Sequence, residues 1–277
     1  MSYKTILVHV DASPHCEQRV RAAAALAVQH QAHLIGAAMT GISHYIYSND
    51  NIDFSQMVVA MHVEAMQEKA LAALQRFEAL AAEAGVDSVE TRFLNDDPEN
   101  ALAMQARYAD LVVVSQTDIE DAEARLTPGL PAYVMLTSGR PVLVVPYAGD
   151  FPALGSRVLV AWDGGMEATR ALANALPMLE RAAQVTVAVF NPDAEAHGAQ
   201  PGADIALYLA RHGVKVDVTE LHTRINVGDA LLSLAADQQS DLIVMGGYGH
   251  TRLRELLLGG VTDTILRTMT APVLMAH

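Results

Sequence analysis

DLIVMGGYGHTRLRELLLGGVTDT, residues 241–264, decides how this chain is read. Leu242 to Met245 is a short apolar run of the kind that forms a buried strand bounded by glycines. Gly246, Gly247 and Gly249 follow at once, and a second pair, Gly259-Gly260, begins thirteen positions after Gly246 and leads into Val261 and Thr262. Thr264 to Met269 can start a helix. Glycines let backbone N–H groups approach an anion closely, and a helix N-terminus adds unpaired donors and a partial positive charge. Thr262 can add a hydroxyl. The layout therefore suits phosphate. The plainer alternative is a tight turn leaving a strand, with an unrelated glycine pair capping a helix. No Lys follows the glycines as in GxxxxGK[ST], so this is not the usual P-loop.

Around this stretch the composition sets bounds. At roughly 100–150 residues per domain, 277 residues suggest two domains, and 51% hydrophobic residues suffice for full cores. A net charge of -14 argues against nucleic acid as a partner, because phosphate backbones require basic patches. It does not oppose a small anion held by backbone donors. The single cysteine, Cys16, cannot form an internal disulfide, which points to a reducing compartment. Its place near a helix start can lower its pKa, but a packing role is the simpler reading. There is no export signal at the N-terminus and no apolar run of membrane-spanning length. A cytosolic protein without membrane partners is expected.

In chain order, Tyr3–Val10 reads as a strand ending at Asp11, followed by a helix over about 14–30 with Val20, Ala23, Ala24 and Ala27 on one face, then a strand over His33–Met39. Residues 41–54 are polar and aromatic and read as a long loop. A long helix is predicted over 55–84, with Gly85 as its C-cap. Its Met57, Met61 and Met66 read as core or interface packing. Strands follow at 86–94, 111–114 and 142–145, with a helix over 98–108. Gly, Pro and Asp cluster over 147–156, which places the domain boundary there, between 1–148 and 155–277. The order then restarts: strand 158–162, helix from Glu167 with a kink or break at Pro177, strand 185–190, helix 204–212, strand 214–221, helix 229–238, and the glycine stretch. Strands alternating with helices imply βαβ units and a parallel sheet in each half, an α/β class with right-handed crossovers.

The two halves are a duplication. Pro141-Val-Leu-Val aligns with Pro272-Val-Leu-Met, and Asp110-Leu-Val-Val with Asp241-Leu-Ile-Val, both at an offset of 131, whereas Asp11 and Asp163 align at 152. The extra 21 residues of the first half are assigned mostly to the 41–54 loop and the helix after it. At the constant offset Gly246 matches Ser115, Gly249 matches Asp118, Gly259 matches Pro128, Gly260 matches Gly129 and Thr262 matches Pro131. The first half has kept the loop length and lost most of the phosphate-binding features. Asp118, Glu120, Asp121 and Glu123 add charge that repels phosphate. Only the second half is expected to bind a nucleotide, if either does.

The spacing Gly246-x-x-Gly249, nine residues, Gly259-Gly-Val-Thr262, then a strand opened by Pro272, resembles the nucleotide signature of the universal stress protein family, in which G-x-x-G and nine residues lead to G-[S/T]. Gly260 stands where Ser or Thr is usual, which removes one hydroxyl, while Thr262 matches a further position of the pattern. The resemblance covers nearly the whole chain. It implies two tandem, doubly wound, Rossmann-like sheets of about five parallel strands, with the fifth strands, here Val142–Val145 and Val273–Ala276, paired antiparallel. Association of two whole chains is a further option.

Ligands of such sheets bind beyond the carboxyl ends of the strands where strand order reverses. Ala161-Trp162-Asp163 and Met245-Gly246 converge there on topology alone. The resemblance places Asp163 near the ribose and a bound metal, with magnesium the candidate ion, and Val189 or Phe190 at the adenine. Asp163 also suits an N-cap, and Val189 suits core packing. Gly249, Arg252, Gly259, Gly260, Val261 and Thr262 would surround the phosphates, Arg252 by pairing with oxygens or as a solvated loop charge. His250 has no metal-ligand partner at suitable spacing. Trp162 would report on binding by fluorescence. The expected ligand is ATP or a related adenine nucleotide and the expected role a stress sensor or regulator. No general base is placed for catalysis, so turnover would be slow at most. The alternatives are a ligand-free scaffold and a slow ATP hydrolase.

Overall fold

A computed structural model describes residues 2–41, 55–121, 124–192, 202–249 and 260–277. Its contacts divide the chain into two units, Tyr3–Arg140 and Pro141–His277.

In the first unit the elements run β1 (Thr5–Val10), α1 (Cys16–His30), β2 (His33–Met39), α2 (Ser55–Glu83), β3 (Val89–Leu94), α3 (Pro98–Ala106), β4 (Leu111–Ser115) and α4 (Leu130–Ser138). The strands lie in the order β3-β2-β1-β4 and pair in parallel. β1 and β4 are buried along nearly their whole length because helices cover both faces, whereas the edge strand β3 alternates between half-buried and exposed positions. α1 packs against α2 and α3 against α4, the pairing produced when right-handed crossovers run first one way and then the other along a sheet. The expected face of α1, Val20, Ala23, Ala24 and Ala27, is buried. Gly85, with φ of 78°, closes α2 in the left-handed conformation expected of it.

The second unit holds β5 (Val142–Val145), β6 (Arg157–Ala161), α5 (Met166–Leu179), β7 (Gln184–Phe190), α6 (Ala203–Arg211), β8 (Val216–Leu221), α7 (Val227–Asp237), β9 (Leu242–Gly246), α8 (Val261–Thr268) and β10 (Val273–Ala276). Its order is β5-β10-β9-β6-β7-β8, parallel from β10 to β8. β5 runs antiparallel to β10, with Val144 opposite Val273, Leu143 opposite Leu274 and Val142 opposite Met275. This is the expected pairing of fifth strands.

The duplication also shows at the amino ends of the strands. Asp110 Oδ2 accepts the N–H groups of Lys4 (2.7 Å) and Thr5 (3.0 Å), and Asp241 accepts those of Gly155, Ser156 and Arg157, each at 3.0 Å. These are the two aspartates that align at 131, and each ties the fourth strand of its repeat to the start of the first.

Three local expectations change and a fourth is not tested. α5 continues through Pro177 to Leu179 without a break, because Pro177 falls in the last turn and Leu176, Met178 and Leu179 are all buried there. Met61 is 63% exposed, so of its two readings, core and interface packing, the core one falls. The thiol of Cys16, at the first residue of α1, is pushed up by burial rather than lowered by the helix start, with the Arg19 cation offsetting part of the effect. The 41–54 loop lies outside the described residues except for Gly41.

Candidate functional site

The site is built at the carboxyl ends of the second unit's strands. β6 pairs with β9 on one side and β7 on the other, so the crevice between β6 and β9 is where strand order reverses. Ala161 ends β6, and the Trp162 N–H continues the ladder to Ala188 O at 2.9 Å. Met245 is buried at the end of β9, and Gly246 is its last residue. Val189 is fully buried in β7 and Phe190 half-buried at its end. Of the two residues assigned to the adenine, only Phe190 therefore has surface to offer.

The turn leaving β9 is held from three sides. Gly247 N–H donates to Ala276 O at 2.9 Å, and His277 Nδ1 lies 3.0 Å from Gly247 O. Tyr248 adopts a left-handed conformation (φ 55°), and its N–H donates to Thr262 Oγ1 at 3.0 Å. Thr262 is 2% exposed, so its hydroxyl joins the glycine turn to α8 rather than standing open to a phosphate. Gly260 is the N-cap of α8 in an extended conformation (φ -64°, ψ 167°), with no side-chain cap. The first-turn N–H groups of α8, beginning with Val261, are the donors a helix start leaves over.

The loop after β6 supplies the acidic side. Asp163 is exposed, and its Oδ1 accepts the Gly165 N–H at 2.9 Å. The N-cap of α5 is Gly165, not Asp163. Asp163 instead closes a turn just before the helix and keeps its second carboxylate oxygen for other use. Gly246 lies against the first turn of α5: a Cβ there would be 2.6 Å from Ala168 N. A Cβ at Gly249 would be 3.0 Å from Glu167 Oε2. Glu167 thus brings a carboxylate to the glycine turn, a contribution the sequence reading missed. Its only signal was its place in the first turn of the helix that follows Asp163.

Arg252 and Gly259 lie outside the described residues, as do His250 and Arg254. Among the described residues no three His, Cys, Asp or Glu side chains group as a metal site. Asp163 and Glu167 each offer a hard oxygen donor of the kind magnesium takes when phosphates complete its shell.

The family model of the universal stress protein family matches residues 2–146 and again residues 156–277. The chain belongs to the universal stress protein family. Among curated proteins, universal stress protein Slr1230 of Synechocystis sp. PCC 6803 is 30% identical over 139 residues, 49% of this chain and 46% of the relative. The chain spans less than half of the length of the curated relatives it matches. Among solved structures, a universal stress protein from Archaeoglobus fulgidus DSM 4304 superposes with a TM-score of 0.71 at 17% identity, covering 98% of this chain and 95% of its own, which shows the shared fold. A universal stress protein in complex with cAMP is 26% identical with a TM-score of 0.39, covering 53% of this chain and all of its own. No described helix is long and apolar enough to cross a membrane.

The first universal stress protein repeat has rebuilt the same place around a charge. Arg19, 1% exposed, projects from α1, its Nε donating to His9 O (2.7 Å), Nη1 to Ser115 Oγ (2.6 Å) and Nη2 to Asp11 Oδ1 (2.8 Å). Ser115 stands where the second repeat has Gly246. Burial pushes the Asp11 carboxyl up, but the Arg19 and His9 charges and the hydrogen bonds from Arg19 and Ser13 N–H outweigh it, leaving a pKa of about 2. Burial pushes His9 down to about 4, against the pull of Asp11, so the imidazole is neutral at pH 7 and its 3.4 Å approach to Asp11 is not an ion pair there. The sequence carried one hint of Arg19: it lies four residues before Ala23, on the apolar face of α1. A cation on that face needs a buried partner.

Proposed function

We propose that the second repeat binds an adenine nucleotide at the carboxyl ends of β6, β7 and β9, and that the protein acts through this site as a stress sensor or regulator. The observation that carries the reading is the meeting, at the reversal of strand order, of the glycine turn after β9 and the uncapped start of α8, joined by the Tyr248 N–H to Thr262 Oγ1 bond. Backbone donors of such a turn and helix start receive phosphate oxygens. Phe190 lies on the side of β6 away from β9, where the base would rest. Asp163 would hold a ribose hydroxyl or, through its free oxygen, a magnesium ion shared with the phosphates. ATP is the leading candidate. The role in this reading is ligand-dependent signalling rather than efficient turnover. The localisation that fits it is the cytoplasm.

One observation favours a second reading, a scaffold without nucleotide. The Glu167 carboxylate beside Gly249 repels phosphate unless a metal ion stands between them.

Titration of the full chain with ATP and magnesium, followed by Trp162 fluorescence and native mass spectrometry, separates the two. One nucleotide per chain, weakened at least about tenfold by Asp163→Ala (a lost charge-assisted contact), supports the site. No bound mass and no fluorescence change at millimolar ATP leaves the scaffold.

A further inference from the structure

The first repeat encloses a cavity of about 640 Å³ at the carboxyl ends of β1, β2 and β4. That is the size of a small-molecule site. Met39, Met66, Ala70 and Leu130 give it apolar walls, with Thr40 and Gln116 buried among them.

Its mouth has lost most of the features that would hold a phosphate. Arg19 faces the cavity, but its guanidinium is engaged by His9 O, Ser115 Oγ and Asp11. Asp118, at the position of Gly249, forms a 2.9 Å pair with His15 across the loop. Pro131 stands in the first turn of α4 and has no N–H to give. Over Gly129, the counterpart of Gly260, stands a carboxylate: a Cβ at 129 would lie 3.8 Å from Glu99 Oε1. Asp97 lines the same side, with both its oxygens turned to Asn100 at the start of α3. Lys69, on the α2 wall, is the opposing charge. Among the described lining residues four carboxylates, Asp11, Asp97, Glu99 and Asp118, outnumber the two permanent cations, Arg19 and Lys69.

We infer that this cavity is a second ligand site, which takes a small organic cation, an ammonium or amidinium group on a compact apolar skeleton, and excludes phosphorylated ligands. The cation would lie against Glu99 and the skeleton against Met39, Met66 and Leu130. The duplication has thus separated two ligand chemistries onto two copies of one fold. This site is independent of nucleotide binding by the second repeat and stands if that binding fails.

The test is calorimetric titration of the full chain with phenethylamine at pH 7, with and without saturating ATP, and with AMP as the phosphorylated contrast. The expected result is one amine per chain, unchanged by ATP or by Asp163→Ala. Glu99→Gln should weaken it about fivefold, the effect of one partly exposed ion pair. Ala12→Phe, at the exposed rim, should block entry while leaving the core untouched. No heat at millimolar amine, equal binding by Glu99→Gln and the natural chain, or displacement of the amine by AMP would each overturn the inference.

Discussion

Gly246 rests on the backbone of Ala168: a Cβ at position 246 would lie 2.6 Å from Ala168 N and 2.8 Å from the carbonyl carbon of Glu167. The first turn of α5 is therefore seated directly on the end of β9, and the glycine is required there by packing before any ligand is considered. Because backbone, not a flexible side chain, meets the added methyl, Gly246→Ala should destabilise the second unit by about 1–3 kcal/mol. Trp162, the one tryptophan of the chain, reports this unit in denaturant unfolding. An unchanged midpoint would mean that α5 shifts freely. Loss of nucleotide binding in a Gly246 variant is thus no evidence for a contact with phosphate.

The Arg19–Asp11 pair should be the costliest charge contact to break in the first unit. Arg19→Met removes the guanidinium donor from His9 O, Ser115 Oγ and the Asp11 carboxylate, which keeps only the Ser13 N–H, at a cost of about 3 kcal/mol. Adding Asp11→Asn should recover part of that loss. Calorimetric unfolding of the two single variants and the double measures the coupling, and simple additivity would sink the assignment.

Acid should act first through His9. Its folded pKa, about 4, lies below the 6.5 of an ordinary imidazole, so the unfolded chain takes up a proton that the folded chain refuses. Stability from this group is complete above pH 6.5 and falls by about 3 kcal/mol as pH drops to 4. Asp11, also depressed, contributes above its ordinary value of 3.8 and is lost only as pH falls through about 2. Nitrogen NMR of the folded protein should show a His9 midpoint near 4, and a midpoint near 6.5 would contradict the buried neutral imidazole.

Gly260→Ser should strengthen both helix and site. The extended backbone at 260 accepts a side chain without strain, and Ser caps a helix better than Gly by a few tenths of a kcal/mol, roughly. The same hydroxyl restores the one the family motif has and this chain lacks. ATP affinity measured by Trp162 fluorescence should rise severalfold. Equal affinity in the two proteins would show that the hydroxyl at 260 is spent on the cap.

The order of strands and helices was open to reading because each strand in the middle of a sheet is a run of apolar residues and each helix has an apolar stripe. Val142–Val145 and Val273–Ala276 were fixed by Pro141 and Pro272 before them. The offset of 131 brought Asp110 and Asp241 into register, and the structure gives both the same hydrogen-bonding task. Ends were read less well: β3 begins three residues later than its apolar pattern, and α5 ignores Pro177, because burial of Leu176, Met178 and Leu179 outweighs one missing hydrogen bond.

By itself the sequence determined the duplication, the α/β class, and the glycine spacing that singles out the second repeat. These are properties of order along the chain, written in periodicity and offset. Only the tertiary structure decided what meets across the crevice. Glu167 stands beside Gly249, Thr262 is spent on Tyr248, and in the first repeat Arg19 holds Ser115 and Glu99 stands over Gly129, the counterparts of Gly246 and Gly260. These contacts join residues from different strands and helices, and no local pattern encodes the distance between them.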